Sequence, residues 1–472
     1  MGFSHFSSII YGVSAFYKKI SRLPRAEFCA LLVLPVFYCF FLPGEGFKKV
    51  YIFLLATSFV VLVGVKKIIP AISCGIVLFS LTLFLYSGQE FRSLIQDGNV
   101  RWVQGRVASN PVKTTGSSYK VVLETFSCSD GDFQSSCRGK ITAFIPAGIV
   151  EAYYPGKLYS AAGTDADDAS LPLVEMGMEG WFHGKYGKSD FFTVEKVESR
   201  GWKNALEQFR GFCRLQLKRL LHSWGDGGGL LLALLSGSRE DIETGTGKAF
   251  KNAGLSHVLA LSGMHVSLFS GMAAAMGKKI RKRNLVFLVS FAMVAIFVFF
   301  AGLSPSLLRA FLSTTLALVC SFFMIEASAL SVLALSFLIH LVIAPADGLQ
   351  VSFLLSYAAV AGILILPSRI LPLFCPRVPK KICEPFVVSI SAQVFTAPLT
   401  IYFFSCIMPV GVVSSVVVSP LVSIFFIFGF FATIACLCCP ILIFPAGQII
   451  NFLYFLIRIT VEFFGKVPPI TF

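Results

Sequence analysis

The chain reads LLLALLSGSREDIETGTGKAFKNAGLSHVLALSGMHVSLF over residues 230–269, and this stretch sets polar side chains at the border of a strongly apolar region. The polar side chains are Arg239, Glu240, Asp241, His257, Ser262 and His265. Polar groups at membrane depth cost free energy, so proteins usually keep them there for function. A basic segment precedes the stretch and apolar runs follow it. We therefore interpret it as the mouth of a path for a polyanion.

Composition indicates a polytopic α-helical membrane protein with a modest soluble part. Of the 472 residues, 56% are hydrophobic and 14% are charged, whereas a soluble domain carries about 25% charged residues. The net charge of +15 suits an anionic membrane surface or a polyanionic partner. Composition alone does not separate these two kinds of partner.

The N-terminal quarter predicts three membrane crossings. Residues 1–25 form a basic N-terminus that we expect to stay cytoplasmic, because basic flanks favour that side. Residues 26–89 hold apolar runs at 26–42, 50–65 and 68–86, each near the length needed to cross a bilayer. Three crossings place residues 90–200 outside the cytoplasm.

Residues 90–200 predict an extracytoplasmic β-rich domain. Turn residues separate five β-branched and aromatic runs, at 100–107, 119–126, 140–145, 157–163 and 191–198. About five such strands are typical of a small barrel or sandwich, so we expect an OB-like domain. Cys128 and Cys137 flank a polar loop in it. Outside the cytoplasm they could form a disulfide, and two free thiols are the alternative.

Residues 201–224 predict a basic amphipathic helix that lies along the membrane interface. Its cations, Lys203, Arg210, Arg214 and Lys218, share one face, and apolar residues occupy another. Adhesion to anionic lipid is one interpretation. An electrostatic funnel that concentrates a polyanion is the other.

Residues 225–472 predict a transmembrane core, entered through a flexible glycine joint at 225–229. Its apolar runs lie at 255–277, 284–303, 305–324, 327–345, 348–366, 386–405, 408–439 and 441–464. The run 408–439 contains two prolines and could be a half-helix followed by one crossing. The basic loops at 278–283 and 369–381 both fall on the cytoplasmic side. We expect about 11 crossings in all.

Few polar side chains interrupt the core. Arg309 needs a wet cavity or a carboxylate, and Asp347 is a plausible partner. Gln350 and Gln393 could line a wet path or bond between helices. Arg458 and Glu462 are spaced i, i+4 and predict a pair within one helix.

Catalytic and metal motifs are weak in this sequence. His257 and His265 lack the H-E-x-x-H spacing, so we expect no metal and no other cofactor. Ser262 lacks the G-x-S-x-G context of a nucleophile. A serine and glycine pair in an apolar run more often marks a kink or a close helix approach.

Five strings of the core are similar to one family. They are LLSGSRE (234–240), AGLSHVLALSGMHVSLFSGM (253–272), PSLLRAF (305–311), GLQVSFLLSYAAVAGIL (348–364) and AQVFTAPLTIYFF (392–404). They resemble the membrane core of the ComEC competence-protein family, the DNA-uptake channel of transformable bacteria. The matching motif residues are Arg239, His257, Ser262, Gly263, His265, Arg309, Gln350 and Gln393. Ser415 departs from the asparagine that the family's last motif usually has.

The resemblance implies an inner-membrane channel that passes single-stranded DNA into the cytoplasm during natural transformation. The matching motif residues would line the DNA path. An external DNA receptor and a cytoplasmic ATP-driven translocase are implied as partners. No string of the family's metallo-β-lactamase-like domain appears, so the sequence predicts a short form without enzymatic activity, with degradation left to a separate nuclease.

Two functions of other classes remain open from the residues alone. A small-molecule or lipid transporter, or a membrane-embedded enzyme, could use Glu240, His257 and His265 as acid and base groups. A structural membrane protein without a transported substrate is a third interpretation. The intramembrane Arg and Gln side chains argue against the third, because such groups are costly without a use.

Overall fold

The computed structural model describes residues 27, 29–30, 33–34, 91, 93–95, 99–114, 117–154, 174–186, 191–239, 241–259, 261, 263–277, 283–302, 304–374 and 379–471. Three predicted features lie outside the described residues: the N-terminus at 1–25, which we expect to be cytoplasmic, almost all of the three helices in 26–89, and the strand at 157–163. The chain forms two compact units. One comprises Met1–Ser87, Ala273–Phe291 and Pro305–Phe403, and the other comprises Gly88–Met272, Ala292–Ser304 and Phe404–Phe472.

The second unit begins with a β-barrel, built from β1 (Trp102–Val107), β2 (Val112–Lys113), β3 (Ser118–Ser129), β4 (Gln134–Pro146), β5 (Met178–Tyr186) and β6 (Phe191–Trp202). The strand order is β1-β5-β6-β4-β3, and β3 pairs again with β1, which closes the sheet. β4 and β6 run parallel, and the other pairs that close the barrel are antiparallel. A short helix, α1 (Ala147–Val150), follows β4. Four predicted strands are confirmed.

Strand β5 was not predicted, because its glycines hide the strand pattern. A Cβ at Gly180 would lie 2.5 Å from the Glu198 carbonyl oxygen on β6, so the strands approach too closely for a side chain there. The pairing with β6 shifts register beside Gly180 and again beside Gly184. Glycine inside a strand often marks such a bulge or close approach.

Alternating side chains fill the barrel. β1, β3 and β5 bury roughly every second residue, as a sheet with one covered face requires. Tyr119, Phe182 and Phe192 are among the largest buried side chains of the domain. Burying one large apolar side chain stabilises a fold by about 1.5–3 kcal/mol, so this core holds the barrel together.

Two helices follow the barrel. α2 (Ala205–His222) begins at Asn204, whose side chain accepts a hydrogen bond from the Glu207 backbone N–H at 2.9 Å. α3 (Gly225–Ser236) is buried along nearly its whole length. The predicted flexible joint at 225–229 is wrong, since these glycines form the first turns of α3. They allow close packing: a Cβ at Gly227 would lie 2.6 Å from Asn451 Oδ1.

The remaining elements are mostly apolar helices. They are α4 (Thr244–Asn252), α5 (Ser256–Leu259), α6 (Gly263–Gly277), α7 (Arg283–Ala301), α8 (Pro305–Phe323), α9 (Ala329–Ile343), α10 (Val351–Ile365), α11 (Pro367–Phe374), α12 (Lys380–Phe404), α13 (Val410–Cys438) and α14 (Ile443–Phe464). Short strands β7 (Cys406–Ile407) and β8 (Ile470–Thr471) pair antiparallel. Five of the described helices are long and apolar enough to cross a membrane.

Helix positions in the core follow the predicted apolar runs closely. The run 255–277 is divided between α5 and α6. In the run 408–439 we considered a half-helix, and the structure has one continuous helix of 29 residues. Pro420 lies inside it without ending it. In the first unit, α8, α9 and α10 pack against one another. Phe337, Phe353 and Tyr357 form the centre of that packing.

Candidate functional site

Arg214 on α2 joins the barrel side of its unit to two helix ends. Its Nε donates to Glu175 Oε2 at 3.0 Å, just before β5. Its Nη1 donates to the backbone carbonyls of Phe300 at 2.7 Å and Ser236 at 3.4 Å, near the ends of α7 and α3. Its Nη2 donates to Ser238 Oγ at 2.8 Å. A cation at helix C-termini is electrostatically favourable, so this guanidinium is fully used.

The carboxylate of Glu175 is the negative centre of the cluster. Lys218 Nζ lies 2.6 Å from its Oε1, and the side chains of Glu175, Arg214 and Lys218 are all buried. Burial by itself would raise the pKa of Glu175, but the charges of Lys218 and Arg214 outweigh it and hold the pKa at about 2. Sequence analysis missed Glu175, because it lies 39 residues from Arg214 in a segment without a motif.

The predicted exposed basic face of residues 201–224 is wrong for three of its four cations. Arg210, Arg214 and Lys218 are 1%, 2% and 2% exposed, and Lys203 is exposed. Leu206 and Phe209 on the same helix are instead 67% and 57% exposed. The helix turns its basic face inward because Glu175 and backbone carbonyls are there to receive it. Its apolar residues at the N-terminal end face outward, where lipid would accept them.

The turn after α3 carries Arg239. Gly237 closes the helix with φ +75, a conformation that favours glycine, and its N–H donates to the Ala233 carbonyl at 3.0 Å. A Cβ there would also meet Leu261 at 2.8 Å. Ser238 is buried against Arg214, and Arg239 is exposed. Arg214 thus fixes the base of the turn whose next residue presents the exposed guanidinium.

The HVLALSGMH segment divides into two short pieces. His257 lies on α5 and is exposed. Ser262 lies outside the described residues, and Gly263 begins α6. The preceding turn is close-packed: Ser414 Oγ donates to the Ala253 carbonyl at 2.7 Å. The break between α5 and α6 agrees with the expectation that the serine and glycine pair interrupts a helix.

His265 is buried completely, which differs from its expected place on a wet path. Its ring packs against Phe426 at 4.9 Å between centroids. Phe269, one turn further along α6, packs edge-on against Phe426 and Phe430. The buried imidazole therefore lies against an aromatic cluster. Aromatic rings favour this packing because their edges and faces attract.

Arg309 lies in the first half of α8 and is 8% exposed. Its Nε donates to Ser356 Oγ on α10 at 3.0 Å, and the Ser306 hydroxyl lies 3.2 Å from the same oxygen. Within the described part of the chain, no carboxylate lies within 4.0 Å of the guanidinium. Among the described residues, the guanidinium therefore bonds through Nε, and both terminal nitrogens remain for other partners.

Asp347, the expected partner of Arg309, binds elsewhere. Its Oδ1 accepts from Gln350 Nε2 at 2.9 Å, and its Oδ2 lies 3.1 Å from His340 Nε2. The other ring nitrogen of His340 lies 3.3 Å from the Tyr357 hydroxyl. Sequence analysis missed His340 because it stands alone in an apolar run. A histidine seven residues before an aspartate was the available signal.

The other predicted path residues differ in exposure. Gln350 is exposed, and Gln393 is half-buried on α12. Arg239 and His257 belong to one unit, whereas Arg309, Gln350 and Gln393 belong to the other. The structure thus brings Gln350 into the His340 network and gives each unit its own group of predicted residues.

Cys128 and Cys137 are thiols and not a disulfide in the structure. Both are buried in the barrel core, on the neighbouring strands β3 and β4. Burial raises the pKa of the Cys137 thiol to about 12, and the nearby Cys128 adds to the shift. A thiol with so high a pKa reacts slowly, because the thiolate is the reactive form.

The described residues contain no group of three His, Cys, Asp or Glu side chains that could hold a metal ion. Glu240 of the alternative acid and base trio lies outside the described residues. The other two members differ, since His257 is exposed and His265 is buried. The Arg458 and Glu462 pair is present as predicted, at 2.8 Å, and Glu243 joins it at 3.1 Å.

The sequence profile described as Competence protein matches residues 234–471, half of the chain. The chain belongs to the Competence protein family. This confirms the resemblance drawn from the five strings. All eight predicted path residues lie inside the Competence segment, and the barrel and α2 precede it. Together with the five candidate spans, membership identifies a multi-pass membrane protein.

A curated relative of this Competence family member is ComE operon protein 3 of Bacillus subtilis (strain 168). The two chains are 28% identical over 180 residues. That match covers 38% of this chain and 23% of the relative's length. No solved structure matches the chain.

Proposed function

We propose that this Competence family member is a bacterial inner-membrane channel that passes single-stranded DNA into the cytoplasm during natural transformation. The observation that carries the proposal is Arg309. It is a buried guanidinium in a membrane-length apolar helix, and its described contacts use Nε alone. A guanidinium fork suits phosphate oxygens in two-point contacts, and a sequence-blind DNA path needs such contacts.

In each unit, the exposed polar residues would contact DNA at that unit's own surface. Arg239, His257 and Gln350 present polar side chains at the surface of their units. Gln393 and Ser356, which are both half-buried, would serve within the bundle. His265 lies against an aromatic cluster and, in this proposal, supports α6 rather than contacting DNA.

We infer that the barrel is OB-like and presents DNA to the channel. The support is its strand order: the long strands β1, β3 and β4 pair antiparallel in sequence, a short helix follows β4, and β4 and β6 form a parallel pair. OB-folds bind single strands by stacking bases on aromatic rings. Trp102 and Trp181 lie 4.0 Å apart between ring centroids, and Arg200 lies 4.5 Å from the Trp181 ring. Such a group suits stacked bases.

The proposed orientation has a cytoplasmic N-terminus, an extracytoplasmic barrel and about 11 crossings. The basic loops at 278–283 and 369–381 support it, since both fall on the cytoplasmic side of this arrangement. The proposed partners are an external DNA receptor and a cytoplasmic ATP-driven translocase. The proposal assigns no catalysis to this chain and leaves strand degradation to a separate nuclease.

The proposal is tested by strand delivery in a transformable host that lacks its own copy and expresses this chain. Labelled DNA is scored in the cytoplasm and outside the inner membrane. We expect Arg309→Ala to lower cytoplasmic label by about 10- to 100-fold, the value of a charge-assisted contact. Arg309→Lys should retain part of it, because the charge stays and the fork is lost.

Arg458→Ala is the matched control, because that arginine is half-exposed and paired with Glu462. It should deliver DNA as the native chain does. Normal delivery by Arg309→Ala, at normal membrane levels of the protein, would remove Arg309 from the path.

A further inference from the structure

A chain of hydrogen bonds runs through the first unit from an exposed amide to a buried phenol. Gln350 contacts Asp347, Asp347 contacts His340, and His340 contacts Tyr357, with distances of 2.9, 3.1 and 3.3 Å. Three elements contribute: α9, the 3₁₀ turn Pro345–Leu349 and α10. The described path of DNA does not need His340, so this network requires its own explanation.

The imidazole of His340 is enclosed on all sides. It is 0% exposed, and the Phe353 ring lies 4.8 Å away between centroids. The side chain of Asp347 is 20% exposed, so the carboxylate is the end of the network that reaches the surface. Ionisable side chains inside apolar helices are costly, and proton relays are among their common uses.

Both ring nitrogens of His340 have partners that tolerate two protonation states. A neutral imidazole donates from one nitrogen and accepts at the other, whereas an imidazolium donates from both. The Asp347 carboxylate accepts from Nε2 in either state. The Tyr357 hydroxyl can donate to Nδ1 or accept from it. The network therefore gains a proton without losing a contact between heavy atoms.

Tyr357 connects this network to Arg309. Ser356, the adjacent residue, accepts the hydrogen bond of Arg309 Nε. The Arg309 charge also acts on the Tyr357 hydroxyl, and the Ser336 hydroxyl is a further hydrogen-bonding neighbour of that group. If the Tyr357 hydroxyl changes from donor to acceptor toward His340, that change takes place close to the Arg309 guanidinium.

We propose that His340 is a proton-binding site, held by Asp347 and read out by Tyr357. A proton from water adds to Nδ1, while the Nε2–H bond to Asp347 becomes part of an ion pair. The Tyr357 hydroxyl turns its own hydrogen toward Ser336 and accepts from Nδ1. One proton is bound, no covalent bond between heavy atoms changes, and no other reactant is needed.

The charged and titratable groups around the site come from several elements. They are Asp347 on the 3₁₀ turn, Tyr357 on α10, Arg309 on α8, Cys29 in the apolar cluster of α9 and α10, and Glu27, which accepts from Ser328 and Ser331 at the start of α9. Asp347 favours the imidazolium and Arg309 opposes it. Histidine is suited to this balance because its ordinary pKa lies near about 6.5.

The site is tested by titrating the full-length protein in lipid bilayers with nitrogen-labelled histidine rings. The chain has six histidines, and His340→Gln identifies the signal that belongs to His340. We expect that signal to change between its singly and doubly protonated forms as the pH is varied, and Asp347→Asn to alter this response, because it removes the carboxylate that lies 3.1 Å from Nε2. Tyr357→Phe, which removes only the hydroxyl, should leave the His340 signal titrating with a smaller shift.

An exposed pair in the other unit is the matched control. His222 lies 3.5 Å from Asp241 at the surface, and its side chain is 52% exposed. Asp241→Asn should move the His222 midpoint less than Asp347→Asn moves that of His340, because solvent screens the exposed pair. A His340 signal that never titrates, or a midpoint that Asp347→Asn leaves unchanged, would overturn the proposal.

The titration needs no DNA, so its result is independent of the proposed function. If DNA delivery is also measured across the same pH range, Asp347→Asn should shift the pH profile in the direction of the histidine midpoint. A titrating His340 without any DNA delivery would keep the proton site and reject the channel.

Discussion

Two buried arginines of this chain are held in opposite ways. Arg214 binds a carboxylate, two backbone carbonyls and a hydroxyl. Arg309 binds one hydroxyl within the described residues. Burial of a charge costs several kcal/mol unless partners replace water. The partners of Arg214 therefore offset its burial, whereas Arg309 has N–H donors without a partner among the described residues. The first pattern indicates a structural side chain, and the second indicates a binding side chain.

The largest expected effect comes from removing the compensated arginine. Arg214→Ala removes one of the two ion pairs of the buried Glu175 carboxylate and leaves the pair with Lys218. We expect the free energy of unfolding to fall by about 3–5 kcal/mol, as for other broken buried pairs. Denaturant titration in detergent micelles measures it. A loss below about 1 kcal/mol would show that Arg214 is not structural and would break the comparison.

An acid titration gives the next largest effect. The pKa of Glu175 is lowered from 4.5 to about 2, so its ionised form stabilises the fold above the unfolded pKa. That stability, about 3 kcal/mol, should be lost as the pH falls from about 4.5 toward 2. Acid unfolding of Glu175→Gln should lack this dependence. If the native chain and the variant unfold in parallel, the cluster is not the cause of acid sensitivity.

Removing the uncompensated arginine should change stability much less. Arg309→Met deletes one hydrogen bond and relieves a buried charge, so the two effects oppose each other. We expect the free energy of unfolding to change by about 1 kcal/mol or less, although strand delivery falls sharply. Equal destabilisation by Arg309→Met and Arg214→Ala would erase the distinction between the two arginines.

The smallest expected change in stability is that of Arg458→Ala, which serves as the control for the Arg214 and Arg309 variants. Arg458 is paired with Glu462 and Glu243 at a half-exposed site. Exposed pairs contribute about 0–1 kcal/mol, so Arg458→Ala should be nearly neutral in the same denaturant titration. A larger loss there would mean that the assay responds to any missing arginine.

Hydropathy was sufficient to predict most of the long helices. Each of them needs a continuous apolar run, because its side chains face either the protein interior or lipid. The runs 284–303 and 305–324 end within a few residues of α7 and α8. Four barrel strands were equally clear from alternation. Strand β5 could not be predicted in this way. The neighbouring strand lies so close to Gly180 and Gly184 that no side chain fits there, and these glycines interrupt the strand pattern. Local pattern rules fail where tertiary contacts choose the residue.

The inward face of α2 could not be predicted for a related reason. The helical spacing correctly separated cations from apolar residues, but spacing does not show which face meets protein. Glu175 decides it, and that carboxylate lies far away in sequence. The pairing of Asp347 with His340 was hidden in the same way. The resemblance of the five strings to the family predicted a functional role for Arg309. The structure showed that, among the described residues, its hydrogen-bond partner is one hydroxyl.

The continuous helix α13 has a consequence for the lipid around it. Its 29 residues span about 43 Å at 1.5 Å per residue, whereas the hydrocarbon layer is about 30 Å thick. The helix must lean steeply or extend beyond the acyl chains at one end. Bilayer thickness should therefore affect the structure of this protein. Thin and thick membranes should favour different tilt angles of α13, and the helices packed along it should change their arrangement with it.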